Sequence, residues 1–327
     1  MKVVVIGLGS MGKRRIRLLQ KYNKNYEIIG VDTNLERCRQ VKELFDIKTR
    51  CELSCTSIND GDSAFVCTSP VSHGRIIKQC LESNLHVFTE LNLIDDEYDN
   101  NICLASRNNR VLFLSSTFLY RDEVEYIYKT LKTVKGKMNY TYHIGQYLPD
   151  WHPWENFKSF FVNDKRTNGC REIFAVELPW LTHIFGEIEK ICVWKDKISE
   201  LDIDYNDNYI LLVQHTSGVK GTLSVDVVSR KPVRNFELYG EQIYLSWDGS
   251  SSGLYCYNFM TKENENIKLY KELDTIPGYS AQIIENAYLK EIQNFFHVIE
   301  GKEMPRHTFE QDKKILTWID KIESSED

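Results

Sequence analysis

The chain has 327 residues and a mass of 38.4 kDa, more than one hydrophobic core usually serves, so two domains are expected. Hydrophobic residues make up 42% and charged residues 27%, the balance of a soluble globule, which excludes a disordered or fibrous chain. With 41 basic and 47 acidic residues the net charge is −6, which excludes the basic footprint of a nucleic-acid binder.

From Met1 to about Phe118, short β-branched runs alternate with longer amphipathic stretches. Strands are predicted at Lys2–Ile6, Glu27–Val31, Ser63–Thr68, His86–Thr89 and Val111–Ser115, with helices such as Lys13–Tyr22, Leu35–Phe45 and Arg75–Ser83 between them. Apolar strands joined by helical crossovers make a doubly wound parallel sheet, an α/β Rossmann domain over residues 1–118. After Leu119 the texture changes. A helix is predicted at Asp122–Thr133, a strand at Met138–Tyr147, an aromatic segment at Trp151–Phe161 and a helix at Cys170–Phe185. Hairpins follow around Thr216-Ser217-Gly218 and Gly240-Glu241, and amphipathic helices at Ala281–Glu300 and Phe309–Ile322 cover the sheet or return to the first domain. Residues 119–327 therefore read as a C-terminal α+β domain in which several antiparallel strands follow one another.

No apolar run reaches the roughly 18 residues of a membrane span, and the apolar start stops at Gly7 without a signal peptide's features, so the protein is expected in the cytosol. Its nine cysteines include no C-x-x-C pair. They read as reduced, mostly buried thiols, and no metal site is expected.

Lys2–Ile6 runs directly into Gly7-Leu8-Gly9-Ser10-Met11-Gly12 and then a helix. In this strand-turn-helix context Gly7 permits the turn, Gly9 admits a pyrophosphate and Gly12 lets helix and strand pack, with the Ser10 and Met11 backbone at the helix N-terminus facing the anion. Asp32 closes the second strand twenty residues after Gly12, where a carboxylate accepts bonds from the adenosine ribose and repels a 2′-phosphate. The cofactor expected is NAD rather than NADP. Thr68, Pro70 and His73, on the loop after the next long strand, are candidate cofactor contacts; a helix-start His73 bonding locally is the alternative.

The order of the glycine motif, Thr68-Ser-Pro with His73, and Leu85-His-Val-Phe-Thr-Glu90 resembles the Gfo/Idh/MocA oxidoreductases over nearly the whole chain. Gly145–Trp154 is similar to the branch found with surface-polysaccharide synthesis. The resemblance implies a Rossmann domain, a second domain with an open sheet, NAD(P) chemistry on sugars, inositols or nucleotide-linked sugars, and homodimers or homotetramers. It also places Glu90 at the nicotinamide ribose. Two of the family's catalytic groups are absent. Its Glu-Lys-Pro reads Glu90-Leu91-Asn92 here, and Leu91 carries no proton. Its second-domain Asp and His, four residues apart, become Ile173 and Glu177 counted from Gly169, or Glu172 and Val176 counted back from Gly186.

Helical phase puts Ile173, Glu177, Trp180 and Ile184 on one stripe, and Glu172, Pro179 and His183 on another. If the first lines a cleft, Glu177 is an acid in apolar surroundings suited to proton transfer, the alternative being a structural carboxylate bonded to a neighbouring Arg or to backbone freed by Pro179. His152 and His183 are the further catalytic candidates. Trp151 and Trp154 are candidates to stack on a sugar, and Arg171 to meet a nucleotide phosphate. The reading is an NAD-dependent oxidoreductase acting on a sugar or nucleotide-sugar, with neither nucleic acid nor membrane as partner. Its rivals are an NAD-binding sugar sensor or scaffold without turnover, and a non-redox enzyme using tightly bound NAD.

Overall fold

The structure, a computed structural model, describes residues 1–52, 61–151, 156–159, 161–275 and 282–326. The chain forms two compact units, Met1–Thr117 with Tyr288–Leu316, and Phe118–Ala287 with Thr317–Asp327. The division after Thr117 falls next to the one read from the sequence. The stretch expected as one domain from 119 to 327 is not continuous, because Tyr288–Leu316 returns to the first unit.

In the first unit six parallel strands lie in the order β3-β2-β1-β4-β5-β6: β1 (Lys2–Ile6), β2 (Glu27–Val31), β3 (Lys48–Arg50), β4 (Ser63–Val66), β5 (His86–Thr89) and β6 (Leu112–Leu114). Residues of β1 pair with β2 on one side and β4 on the other, so the strand order reverses there, at the point where doubly wound sheets bind ligands. Among the described residues the crossover helices are α1 (Ser10–Tyr22), α2 (Leu35–Phe45), α3 (Pro70–Glu82) and α4 (Tyr98–Arg107). Val3, Val4, Val5, Ala64, Phe65, Val66, Val87 and Phe88 are all fully buried, as strands covered on both faces require. The return of the chain follows from aromatic packing. Phe295 sets its ring edge-on to Phe65, Phe88 and Phe113 of the sheet, with centroids 5.3 to 5.6 Å apart. Tyr98 on α4 donates to the buried carboxylate of Asp312 at 2.6 Å.

In the second unit an eight-stranded sheet has the order β14-β13-β12-β11-β7-β10-β9-β8. Its strands are β7 (Met138–Gly145), β8 (Ile188–Asp196), β9 (Asn208–His215), β10 (Lys220–Asp226), β11 (Val233–Gly240), β12 (Ile243–Trp247), β13 (Leu254–Asn258) and β14 (Glu263–Asn266). Only β7 and β10 run parallel; the other pairs are antiparallel, so the sheet is mixed but mostly antiparallel. The expected hairpins around Ser217 and Glu241 are β9–β10 and β11–β12. Helices α5 (Asp122–Leu131) and α6 (Gly169–Phe185) belong to this unit; α7 (Glu285–Ile299) and α8 (Phe309–Ser324) are divided between the two. Strand β7 alternates, sending Tyr140, Tyr142 and Ile144 into the core, where Tyr142, Trp180 and Phe236 meet edge to face.

Candidate functional site

The cofactor expectation rests on the turn from β1 to α1. Gly7 has φ +91°, and a Cβ there would lie 2.6 Å from the Cys67 carbonyl oxygen, while a Cβ on Gly12 would lie 1.9 Å from the Gly7 oxygen. Both glycines are therefore required by the protein's own backbone. Gly9 differs, since a Cβ there would meet no protein atom within 4 Å. That open space lies at the N-cap of α1, which has no side-chain cap. An uncapped helix N-terminus beneath an open glycine is the arrangement that receives a phosphate, so the turn fits a dinucleotide diphosphate.

Asp32 closes the neighbouring strand and is 9% exposed. Its Oδ2 accepts from the Leu8 amide at 2.7 Å and its Oδ1 from the Asn34 amide at 2.8 Å, which ties the glycine turn to the start of α2. Each oxygen keeps a further acceptor site, compatible with a ribose hydroxyl. The half-exposed Arg37 stands 3.9 Å from Oδ2.

On the next crossover Thr68 bonds Ser72 through the two hydroxyls at 2.8 Å, and Pro70 opens α3 as its first residue. His73 is 2% exposed, with Nε2 2.9 Å from the Thr68 carbonyl oxygen and Nδ1 2.7 Å from the Asn92 side-chain oxygen. Burial holds its pKa below the ordinary imidazole value, so the ring is neutral near pH 7. A neutral ring donates once. With Nε2–H directed at the carbonyl, Nδ1 accepts from the Thr89 hydroxyl at 3.3 Å or from an Asn92 amide turned over. His73 thus bonds locally within the fold.

Glu90 was expected at the nicotinamide ribose, and the structure gives its carboxylate a partner that the sequence reading missed. Arg15 donates from Nε at 2.6 Å and from Nη2 at 3.0 Å to the two Glu90 oxygens, and from Nη2 at 2.7 Å to Glu291. Arg15 and Glu291 are both fully buried. Burial alone would lower the arginine's pKa, but Glu90 and Glu291 outweigh it and hold it above its ordinary value. Burial pushes the Glu291 carboxyl up, although Arg15 and the Ser116 amide oppose this. Two carboxylates share one guanidinium here.

In the second unit the structure corrects the leading acid. Glu177 is fully buried, its Oε2 accepting from the Tyr142 hydroxyl at 2.7 Å and the Trp180 indole at 2.6 Å, with Arg234 2.8 Å from Oε1. The stripe of Ile173, Glu177 and Trp180 faces the sheet and makes the core, and α6 runs through Pro179 unbroken. Glu177 is a structural carboxylate bonded to a neighbouring Arg. Replacing it by glutamine is expected to lower stability by about 2 kcal/mol, because the Arg234 charge loses its counterion in an apolar setting. Urea unfolding checks this, and NADH affinity should not change.

The other stripe, Glu172, Pro179 and His183, does not share one environment, since Pro179 is buried. Glu172 and Val176 are half-buried and His183 is exposed. Glu172 Oε2 is buried with no hydrogen-bond partner among the described residues, and burial pushes the carboxyl pKa up to about 7. His183 lies over Tyr128 with ring centroids 4.5 Å apart. Arg171, expected to meet phosphate, is 5% exposed and bonded instead to Glu323 at 2.5 Å and Asp320 at 2.7 Å, so its guanidinium is neutralised by α8. Trp151 is half-buried and donates to the Gln146 carbonyl oxygen at 3.0 Å. His152 and Trp154 lie outside the described residues. Among the described residues no three His, Cys, Asp or Glu side chains gather as a metal would need. No described helix is long and apolar enough to cross a membrane.

A doubly wound sheet with an open glycine turn and a carboxylate closing the second strand defines a dinucleotide-binding Rossmann domain. Residues 1–108 match the Gfo/Idh/MocA model, described as an oxidoreductase family with an NAD-binding Rossmann fold. No curated protein matches the chain. Among solved structures, UDP-N-acetylglucosamine 3-dehydrogenase from Acidithiobacillus ferrooxidans is 16% identical, with a TM-score of 0.74 over 98% of this chain and 96% of that one. The WlbA dehydrogenase from Chromobacterium violaceum, in complex with NADH and UDP-GlcNAcA, is 13% identical, with a TM-score of 0.76 over 98% and 92%. A biliverdin reductase from Synechocystis in complex with biliverdin and NADP+ is 14% identical, with a TM-score of 0.75 over 98% and 97%. The chain has the fold of these enzymes.

Proposed function

We propose that the protein is a cytosolic, NAD-dependent dehydrogenase or reductase acting on a sugar or nucleotide-linked sugar, with surface-polysaccharide synthesis as the setting that the Gly145–Trp154 resemblance suggests. The observation that carries the cofactor reading is the open space over Gly9 beside a buried Asp32 carboxylate. The Gly9–Gly12 backbone would hold the diphosphate and Asp32 the adenosine ribose. When bound, the nicotinamide supplies the two-electron hydride acceptor or donor. Support for the substrate class comes from the nucleotide-sugar enzymes that share the fold. The test is nicotinamide absorbance during incubation with UDP-, GDP- and CMP-linked sugars: oxidation or reduction of one of them supports the reading, and silence across the panel despite NADH binding overturns it.

That silent outcome would favour the second reading, an NAD-binding sugar sensor, whose motivating observation is Leu91 at the position of the family's lysine. Asp32→Asn keeps one acceptor oxygen but removes the charge that repels a 2′-phosphate. NADH affinity is expected to fall about tenfold, about 1.4 kcal/mol, while NADPH affinity rises. Nicotinamide fluorescence titrations with both cofactors check this, and an unchanged NADH/NADPH ratio would remove Asp32 from the selectivity.

The second unit's sheet leaves Trp194, Ile210, Leu212 and Tyr239 exposed at 54%, 47%, 46% and 40%. We assign this apolar face to a homodimer or homotetramer contact. Sedimentation equilibrium showing a monomer at micromolar concentration would exclude it.

A further inference from the structure

We propose that Cys38 and Cys51 form a reversible disulfide beside Asp32, a thiol switch that loosens the first unit's hold on its dinucleotide. The pair lies wholly within that unit, and its effect on affinity rests on the cofactor reading above. Three observations carry it.

The first is that the two sulfurs share one corner of the fold. Cys38 sits near the start of α2, and Cys51 directly follows β3. The Cys38 sulfur is 3.5 Å from the carbonyl oxygen of Arg50, the residue before Cys51, and its thiol is hydrogen-bonded to the Cys51 side chain. A disulfide therefore needs only that neighbouring sulfurs close to about 2.0 Å, with no distant elements brought together. The second is unequal exposure. Cys51 is exposed and Cys38 is 1% exposed, so an oxidant in solution meets Cys51 first. Burial, and then the bond to Cys51, push the Cys38 thiol up to about 12, so it stays protonated until Cys51 has reacted.

The third is what the pair borders. The Cys38 thiol is 3.4 Å from the Asp32 carbonyl oxygen, and the Arg50 carbonyl oxygen that it also approaches accepts from the Asp32 amide at 3.2 Å. The Asp32 carboxylate in turn holds the Leu8 amide of the glycine turn and the Asn34 amide at the N-cap of α2. Oxidation removes the Cys38 S–H, so both carbonyl oxygens lose a donor, and closure of the sulfurs draws α2 toward the end of β3. Asp32 is bonded to both elements, so its carboxylate shifts from the position that suits a ribose.

The oxidant is a hydroperoxide. The Cys51 thiolate attacks one peroxide oxygen, the O–O bond breaks, and Cys51 becomes a sulfenic acid as the first water leaves. The Cys38 sulfur then attacks the Cys51 sulfur, the S–O bond breaks, and the departing hydroxide takes the Cys38 proton as a second water. Two thiols are oxidised by two electrons in all, and the peroxide is reduced. A small dithiol reverses the change, becoming a cyclic disulfide as both cysteines regain their protons.

The test treats the reduced full-length protein with hydrogen peroxide, removes the oxidant, and follows peptide mass mapping and NADH fluorescence titration. Expected are a Cys38–Cys51 linked peptide lighter by two hydrogens and an NADH affinity lower by about fivefold or more, restored by dithiothreitol. Cys51→Ser and Cys38→Ala should bind NADH as reduced wild type does and should not respond to peroxide. The other described exposed thiols, Cys103 and Cys192, report non-specific oxidation. A map without the linked peptide, or with Cys51 joined to Cys55, which lies outside the described residues, overturns the pairing. Equal NADH affinity in the two states, or a Cys51→Ser as sensitive as wild type, overturns the switch and leaves the cofactor reading standing. Reduced wild type that binds no NADH overturns the cofactor reading and the switch with it.

Discussion

Arg15→Met is expected to lower stability by about 3–5 kcal/mol at pH 8, because it leaves two buried carboxylates facing each other without a cation. In the native protein the guanidinium spans Glu90 and Glu291 and donates to Ser115 at 3.1 Å, while stacking 4.5 Å from the Phe88 ring centroid. Methionine fills most of the volume but restores no charge. The loss should also depend on pH in a definite direction. Burial raises the Glu291 carboxyl above its unfolded value even with Arg15 beside it. Without Arg15 it rises further, so the stability this group supports is fully present below the unfolded carboxylate range and is lost as pH climbs through the folded value. Arg15→Met should therefore be milder at pH 5 than at pH 8, and adding Glu291→Gln should recover part of the loss at pH 8. Urea midpoints at the two pH values measure both effects. A pH-independent loss below about 1 kcal/mol would show that Arg15 is not what neutralises the pair. Because Arg15 holds both Glu90 oxygens, weakened NADH binding in the folded variant would connect the network to the cofactor.

Why this network escaped the sequence reading has a physical answer. Arg15 and Glu291 are 276 residues apart and each sits among buried neighbours of its own helix, Ile16 and Leu19 for one, Ile292 and Phe295 for the other. A charge within an apolar stripe signals a buried partner, but periodicity does not say which one. The strands β1, β2 and β5 were legible because residues covered on both faces read as unbroken apolar runs. The edge strand β3, Lys-Thr-Arg, was not predicted, since its residues are half-buried or exposed and carry no apolar pattern. Strand β14, Glu-Asn-Glu-Asn at the far edge of the second sheet, was missed for the same reason. The glycine turn was legible because strand, turn and helix are contiguous. The facing of α6 was not: each stripe carries an acid, and only the packing against the sheet decides that Glu177 is fully buried and Glu172 half-buried.

Burial of the Glu172 carboxyl gives Glu172→Gln an expected effect on stability that depends on pH. The folded carboxyl, at about 7, lies above the ordinary value of 4.5, so the folded state holds this proton more tightly than the unfolded chain does. The stability it supports is complete below about pH 4.5 and is lost as pH rises through about 7. Glutamine is neutral throughout and carries no such loss. The variant should thus match wild type near pH 5 and exceed it by about 1–3 kcal/mol at pH 8, the upper figure being the whole shift and the lower one allowing for partial exposure to solvent. Glu177→Gln must go the other way, because it removes a carboxylate that is already bonded to Tyr142, Trp180 and Arg234. Urea unfolding of the two variants at pH 5 and pH 8 separates an acid that burial destabilises from an acid bonded within the core. If Glu172→Gln were the less stable of the two at pH 8, the Glu172 carboxylate would be held by the packing around it rather than destabilised by burial.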